Sequence, residues 1–188
     1  RDMAAGWDSA WIDFSKGLGA PVGAVIAGSL AFIDDVWRWK QRLGGAMRQA
    51  GIVAAAGVYA LEHSVDRLAD DHARARRLAD GLAAAGLPVD LEQVETNFVQ
   101  IDVGRLGLDR SAALGQLAER GVALSATIHA TVVRAVTHLG VSDEDVAALH
   151  RPRLPQALIL HENTYRATTP KELKIAREAM GEAWVATL

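Results

Sequence analysis

The chain has 188 residues, half of them apolar, a formal net charge of -3 and no cysteine. That length allows one domain or parts of two, with enough apolar residues for a real core. The mildly acidic balance gives no electrostatic reason to expect nucleic acid or an anionic membrane as partner, and the lack of cysteine excludes a disulfide framework and a Cys-ligated metal.

No run approaches the unbroken apolar length of a membrane helix and no signal peptide is visible, so the expected location is the cytoplasm. Arg1-Asp2-Met3 is an unusual beginning, and nothing before Asp8 has cap or strand logic. The chain reads as opening in the middle of something larger.

The first informative stretch is WIDFSKGLGAPVGAVIAGS, residues 11–29. A short apolar run ends in Ser15-Lys16. A turn rich in glycine (Gly17, Gly19, Gly23) and broken by Pro21 follows, then a second apolar run over 22–27. The pattern predicts strand, loop, strand, in a sheet buried on both faces. A lysine there is costly unless it is paired, solvated or used chemically. The useful chemistry is a Schiff base, because a desolvated amine has a lowered pKa and attacks aldehydes. Taken alone, these residues fit a surface lysine in a tight turn better.

Ser29 is a suitable N-cap for a helix over 30–43, with Phe32, Val36, Trp39 and Leu43 on one face and Gly44 as the stop. Trp37 and Trp39 read as core or subunit packing. Residues 47–61, MRQAGIVAAAGVYAL, predict a second helix, apolar nearly all round and therefore buried. Its many small residues would let another backbone approach closely. Ser64 can cap a third helix to about Ala85, ended by Gly86 with Pro88 beyond. Leu68, Leu78 and Leu82 mark its buried side, and Arg74, Arg76 and Arg77 read as a solvated charged face.

Residues 98–103 alternate, with Val99, Ile101 and Val103 against Gln100 and Asp102, and predict a half-buried strand. Asp109 caps a helix carrying Ala113, Leu114 and Leu117, closed by Gly121. Short strands follow at 122–124 and at 132–136, the latter carrying Arg134. Ser142 with Asp145 resembles a capping box for a helix to about His150. This order predicts a small α/β unit around a mostly antiparallel sheet. In the tail, Pro152, Pro155 and Pro170 interrupt any pattern beyond 157–160. Thr169-Pro170 with Glu172 then opens a last helix, with Leu173, Ala176, Met180 and Trp184 on one face.

The six histidines form no metal-binding pattern, and there is no GxSxG elbow or Walker loop, so no metal site is expected. His138 and Thr137 read as polar residues at a strand end.

The blocks SKGLGAPVG, LGGAMRQAG, AAAGVYAL and VRAVTHLGVSDEDV, in order from about Trp11 to Leu149, resemble the second half of low-specificity L-threonine aldolases. These are aspartate-aminotransferase-like, fold type I enzymes that use pyridoxal 5'-phosphate. The resemblance implies an α/β chain in four parts: 1–45, a remnant of the large-domain sheet; 46–63, a linking helix; 64–149, a small C-terminal α/β domain; and 150–188, an atypical tail without counterpart in the family. It implies cleavage of the Cα–Cβ bond of threonine and similar β-hydroxy amino acids to glycine and an aldehyde, in a homo-oligomer.

By the same resemblance Lys16 is the Schiff-base lysine and Arg134 binds the substrate carboxylate, for which a guanidinium offers two parallel hydrogen bonds. Arg48 would help hold the cofactor phosphate or a neighbouring subunit. Ser15 is read either as a phosphate ligand or as an ordinary turn serine. Ala46 stands where the family has a third glycine, and Gln41 where it often has a lysine, with Lys40 one residue away. The family's partner for the pyridine nitrogen, its stacking ring and its phosphate loop all precede the lysine, and the ten residues before Trp11 cannot supply them. Little or no aldolase activity is therefore expected of the isolated polypeptide. The alternatives are another fold type I lyase, β-eliminating or serine hydroxymethyltransferase-like, or a non-catalytic fragment that serves as a dimerisation or packing module.

Overall fold

Strands, glycine turns and capped helices follow one another much as the sequence spacing predicts, in a computed structural model that describes residues 4–149 and 158–159. The expected tail helix after Thr169 lies outside the described residues. The chain divides into two compact units, residues 1–68 and 69–188.

In the first unit, β1 (Ser9–Asp13) and β2 (Ala24–Gly28) form an antiparallel pair in which Trp11 faces Ile26 and Asp13 faces Ala24. The intervening turn is tight because Gly19 and Gly23 take positive φ values of 75° and 127°, a region costly for a residue with a Cβ. The expectation of a sheet buried on both faces is not met. Trp11, Ile12, Val25 and Ile26 are all exposed. The two strands pair only with each other among the described residues.

Helix α1 (Leu30–Arg42) begins as predicted: Ser29 Oγ accepts a hydrogen bond from the Phe32 amide at 3.2 Å. It ends where Gly44, at φ 74°, lets the Gly45 amide donate back to the Lys40 carbonyl at 2.8 Å. Its predicted apolar face is not packed, for none of its residues is buried. Trp37 and Trp39 instead carry cations over their rings, Lys40 at 5.4 Å and Arg42 at 5.3 Å.

Helix α2 (Gly51–His63) starts four residues later than the apolar run suggested, after a turn in which Gln49 has φ 51°. It is not buried all round; only Gly57 and Ala60 are. The small residues nevertheless have a clear use. A Cβ on Gly57 would lie 3.0 Å from the Phe14 ring, so an aromatic side chain occupies the space the sequence reading gave to a backbone. Leu18, Ala20 and Ala60 form the buried cluster of this unit, with Phe14, Ala56 and Leu68 packed against it. Ser64 is the C-cap of α2, its amide donating to the Ala60 carbonyl, and not the N-cap of the next helix.

Helix α3 (Leu68–Ala84) buries Ala75, Leu78 and Ala79. It is closed by Gly86 at φ 81°, with the Leu87 amide donating to the Leu82 carbonyl. The second sheet has the order β3 (Phe98–Asp102), β6 (Val132–Val136), β5 (Ser125–Ala126), all antiparallel. The predicted alternation of β3 holds, since Val99, Ile101 and Val103 are buried and Gln100 is exposed. A separate parallel pair joins β4 (Val122–Ala123) to β7 (Leu158–Ile159). Helix α4 (Arg110–Glu119) is capped by Asp109 as predicted, and α5 (Asp143–Leu149) by the reciprocal Ser142–Asp145 box.

The arginines of α3 do more than face water. Arg74 and Arg77 both donate to Asp143 Oδ1, at 2.7 and 2.6 Å, tying the first turn of α5 to α3. The hydrogen bond from Arg74 holds the Asp143 carboxyl below the usual carboxylate range, and Arg77 adds to this. Thr137 is fully buried, and its hydroxyl donates to the Asp71 carbonyl at 2.6 Å, joining the end of β6 to α3.

Candidate active site

Lys16 sits in the bend just past β1, where the chain leaves the strand and enters the glycine turn. The turn is anchored on both sides of it. The Phe14 amide donates to the Gly23 carbonyl, Gly19 to the Lys16 carbonyl and Ala20 to the Phe14 carbonyl, each at 2.9 Å. Leu18 and Ala20 point into the buried cluster, which leaves Lys16 on the outer side.

The amine is not desolvated, in keeping with the surface turn that these residues taken alone fit better. The Lys16 side chain is 53% exposed, and its Nζ lies 2.6 Å from Asp13 Oδ2. It also stands 5.7 Å from the centroid of the Trp11 ring. Alternation along β1 explains the grouping, for Trp11 and Asp13 share one face and the lysine folds back toward both. Ser15 is half-buried in the same bend, and Arg48 is exposed in the turn before α2.

Arg134 lies in the second unit, on β6. Strand β6 is the central strand of its sheet, and Arg134 is half-buried. Its guanidinium lies 4.8 Å over the Phe98 ring, and its Nε donates to Ser125 Oγ at 3.2 Å. Ser125 in turn donates to the Arg134 carbonyl at 3.2 Å. A flat aromatic face and a hydroxyl together fix the plane of the guanidinium, which is what two-point recognition of a carboxylate needs. His138 closes a turn after β6, with Nδ1 accepting from the Gly140 amide at 3.1 Å.

Lys16, Ser15 and Arg48 thus fall in the first unit and Arg134 in the second. Sequence reasoning did not find Asp13, Phe98, Ser125 or Arg67, whose Nη2 donates to the Gly17 carbonyl at 2.7 Å. Asp13 had a visible signal, a carboxylate three positions before the lysine. The others are brought in by the tertiary fold and had none. Taken separately, Lys16 offers a primary amine beside glycines, a group that reacts with aldehydes, and Arg134 offers an oriented guanidinium, a group that suits a carboxylate.

The fold has a counterpart among solved structures. Serine palmitoyltransferase of Sphingomonas wittichii matches over 76% of this chain and 38% of its own, with a TM-score of 0.54 and 24% identity. The mixed α/β arrangement is therefore that of part of a fold type I enzyme. The sequence profile of the beta-eliminating lyase family matches residues 1–104, and the chain belongs to that family. It is 43% identical over 141 residues to a low specificity L-threonine aldolase of Escherichia coli, covering 74% of this chain and 40% of that protein. It is 38% identical over 143 residues to a low-specificity L-threonine aldolase of Arabidopsis thaliana, covering 74% and 39%. The chain spans about two fifths of the length of these curated relatives. Among the described residues no helix is long and apolar enough to cross a membrane.

Proposed function

We propose that the chain supplies the lysine-bearing and carboxylate-binding parts of a pyridoxal-phosphate-dependent aldehyde lyase. Its reaction is cleavage of the Cα–Cβ bond of threonine and similar β-hydroxy amino acids, giving glycine and an aldehyde. The observation that carries this reading is Lys16 on a glycine turn, its amine exposed and held by Asp13, in a chain 43% identical to a threonine aldolase.

Lys16 would hold the cofactor through its aldehyde carbon, and Ser15 and Arg48 would hold its phosphate. Pyridoxal phosphate, when bound, draws electrons away from the substrate bond that breaks. Asp13 pairs with Lys16 Nζ and so orients the amine until the cofactor arrives. Arg134 binds the α-carboxylate with two parallel hydrogen bonds, and so selects which substrate bond is held ready to break. In this reading residues 1–45 belong to the cofactor-binding domain, 46–63 link it to the small domain over 64–149, and the working enzyme is a cytoplasmic homo-oligomer.

The family profile itself favours a second reading, β-elimination, which yields ammonia and a keto acid. The test separates the two. The chain is incubated with pyridoxal phosphate and L-threonine, alone and together with the portion of the Escherichia coli relative that it does not match. Equal amounts of glycine and acetaldehyde from the mixture, with little from the chain alone, are expected. Ammonia and a keto acid would favour elimination, and no product in either case would overturn both readings.

A further inference from the structure

The connection between α2 and α3 makes two separate contacts with the turn that carries Lys16. Arg67 donates from Nη2 to the Gly17 carbonyl at 2.7 Å, across a sequence separation of 50. The next residue, Leu68, lies directly behind Gly17, where a Cβ would come within 2.9 Å of its Cδ2. Leu68 also packs against the buried cluster formed by Leu18, Ala20 and Ala60. The guanidinium thus fixes the carbonyl that follows Lys16, while the Gly19 amide fixes that of Lys16 itself at 2.9 Å. With both carbonyls held, the direction in which the Lys16 side chain leaves the backbone is set. A charge-assisted hydrogen bond to a carbonyl is stronger and more directional than a neutral one.

We infer that Arg67 is a positioning residue for Lys16, acting through the Gly17 carbonyl. The inference rests on the reading of Lys16 as the residue that holds the cofactor. Arg67 touches neither cofactor nor substrate in this role. It keeps the amine in the orientation that β1 and Asp13 prepare, and its loss lets the turn sample others. A misplacement of about 1 Å in a reacting group can cost on the order of a hundredfold in rate, so a partial loosening of the turn should cost about tenfold.

The test uses the full chain as wild type, Arg67→Ala and Arg67→Lys, each checked for fold by circular dichroism. The first readout needs no cofactor: amide hydrogen exchange at Gly19 and Ala20, whose hydrogen bonds close the turn. Exchange about tenfold faster is expected in Arg67→Ala, with Arg67→Lys between it and wild type, because lysine keeps one donor and the charge. The second readout is borohydride trapping of pyridoxal phosphate on Lys16, expected to be about tenfold slower in Arg67→Ala and partly rescued in Arg67→Lys. Should Arg67→Ala fail to fold, Arg67→Lys carries the test with the same two readouts. Unchanged exchange at Gly19 and Ala20 in folded variants would overturn the inference, as would unchanged trapping. If the wild-type chain traps the cofactor elsewhere than Lys16, the functional reading fails, and exchange alone then decides whether Arg67 holds the turn.

Discussion

Asp13 Oδ2 and Lys16 Nζ stand 2.6 Å apart at the end of β1, the carboxylate 22% and the lysine side chain 53% exposed. The amine must part from this carboxylate before it can attack an aldehyde. At this exposure solvent weakens the pair to about 0.2–1 kcal/mol, which corresponds to at most about fivefold in a rate. Asp13→Asn should therefore speed borohydride-trapped attachment of pyridoxal phosphate at neutral pH by a factor of up to about five. Slower attachment in that variant would mean that Asp13 serves the amine as a proton acceptor more than it restrains it.

Arg134 should depend on its neighbours for aim. Arg134→Lys keeps the charge but loses the planar fork, and KM for threonine in the complemented assay should rise about tenfold or more. Ser125→Ala removes only the hydrogen bond to Nε and should raise KM by a smaller factor. Equal KM values for Arg134→Lys and wild type would remove Arg134 from the carboxylate site.

Thr137 adjoins Arg134 in sequence but has a different task. Its buried hydroxyl satisfies the Asp71 carbonyl at 2.6 Å. Thr137→Val should cost about 1–3 kcal/mol in urea unfolding, because it leaves a buried carbonyl without that donor. Trapping at Lys16 should be unaffected, and an unchanged unfolding midpoint would count against the structural role.

The Asp143 carboxyl is held low by Arg74 and Arg77. A carboxylate whose folded pKa is depressed adds stability above its unfolded pKa of about 3.9, and that stability is lost as pH falls through the folded value. Wild type should thus melt above Asp143→Asn at neutral pH, and the gap should close as the pH drops below about 4. A gap that stays constant into acid would show that the pair contributes nothing through charge.

How much of this was legible in the sequence differs between the two units. Caps and stops were: Ser29, Asp109 and the Ser142–Asp145 box act locally, within three residues of what they bond, and the turn glycines Gly44, Gly86 and Gly121 take the positive φ that ends a helix. The alternation of β3 was legible because one sheet face meets a core. Burial in the first unit was not. Apolar residues over 9–43 imply a covering layer, and the sequence cannot say whether the same chain provides it. At the site, the glycines marked the turn that carries Lys16 and the resemblance alone implied its role, whereas its pairing with Asp13 and its support by Arg67 depend on contacts that spacing does not encode. The central place of Arg134, opposite both Gln100 and Ser125, was not legible because short strands do not announce their order.

The central claim is that Lys16 is the residue that holds the cofactor. Purified chain would be incubated with pyridoxal phosphate, reduced with borohydride and digested, and the modified peptide identified by mass spectrometry. The account predicts a reduced pyridoxyl group on Lys16 in preference to Lys40, Lys171 and Lys174, and its loss in Lys16→Ala. Modification spread evenly over the four lysines, or retained in Lys16→Ala, would contradict it.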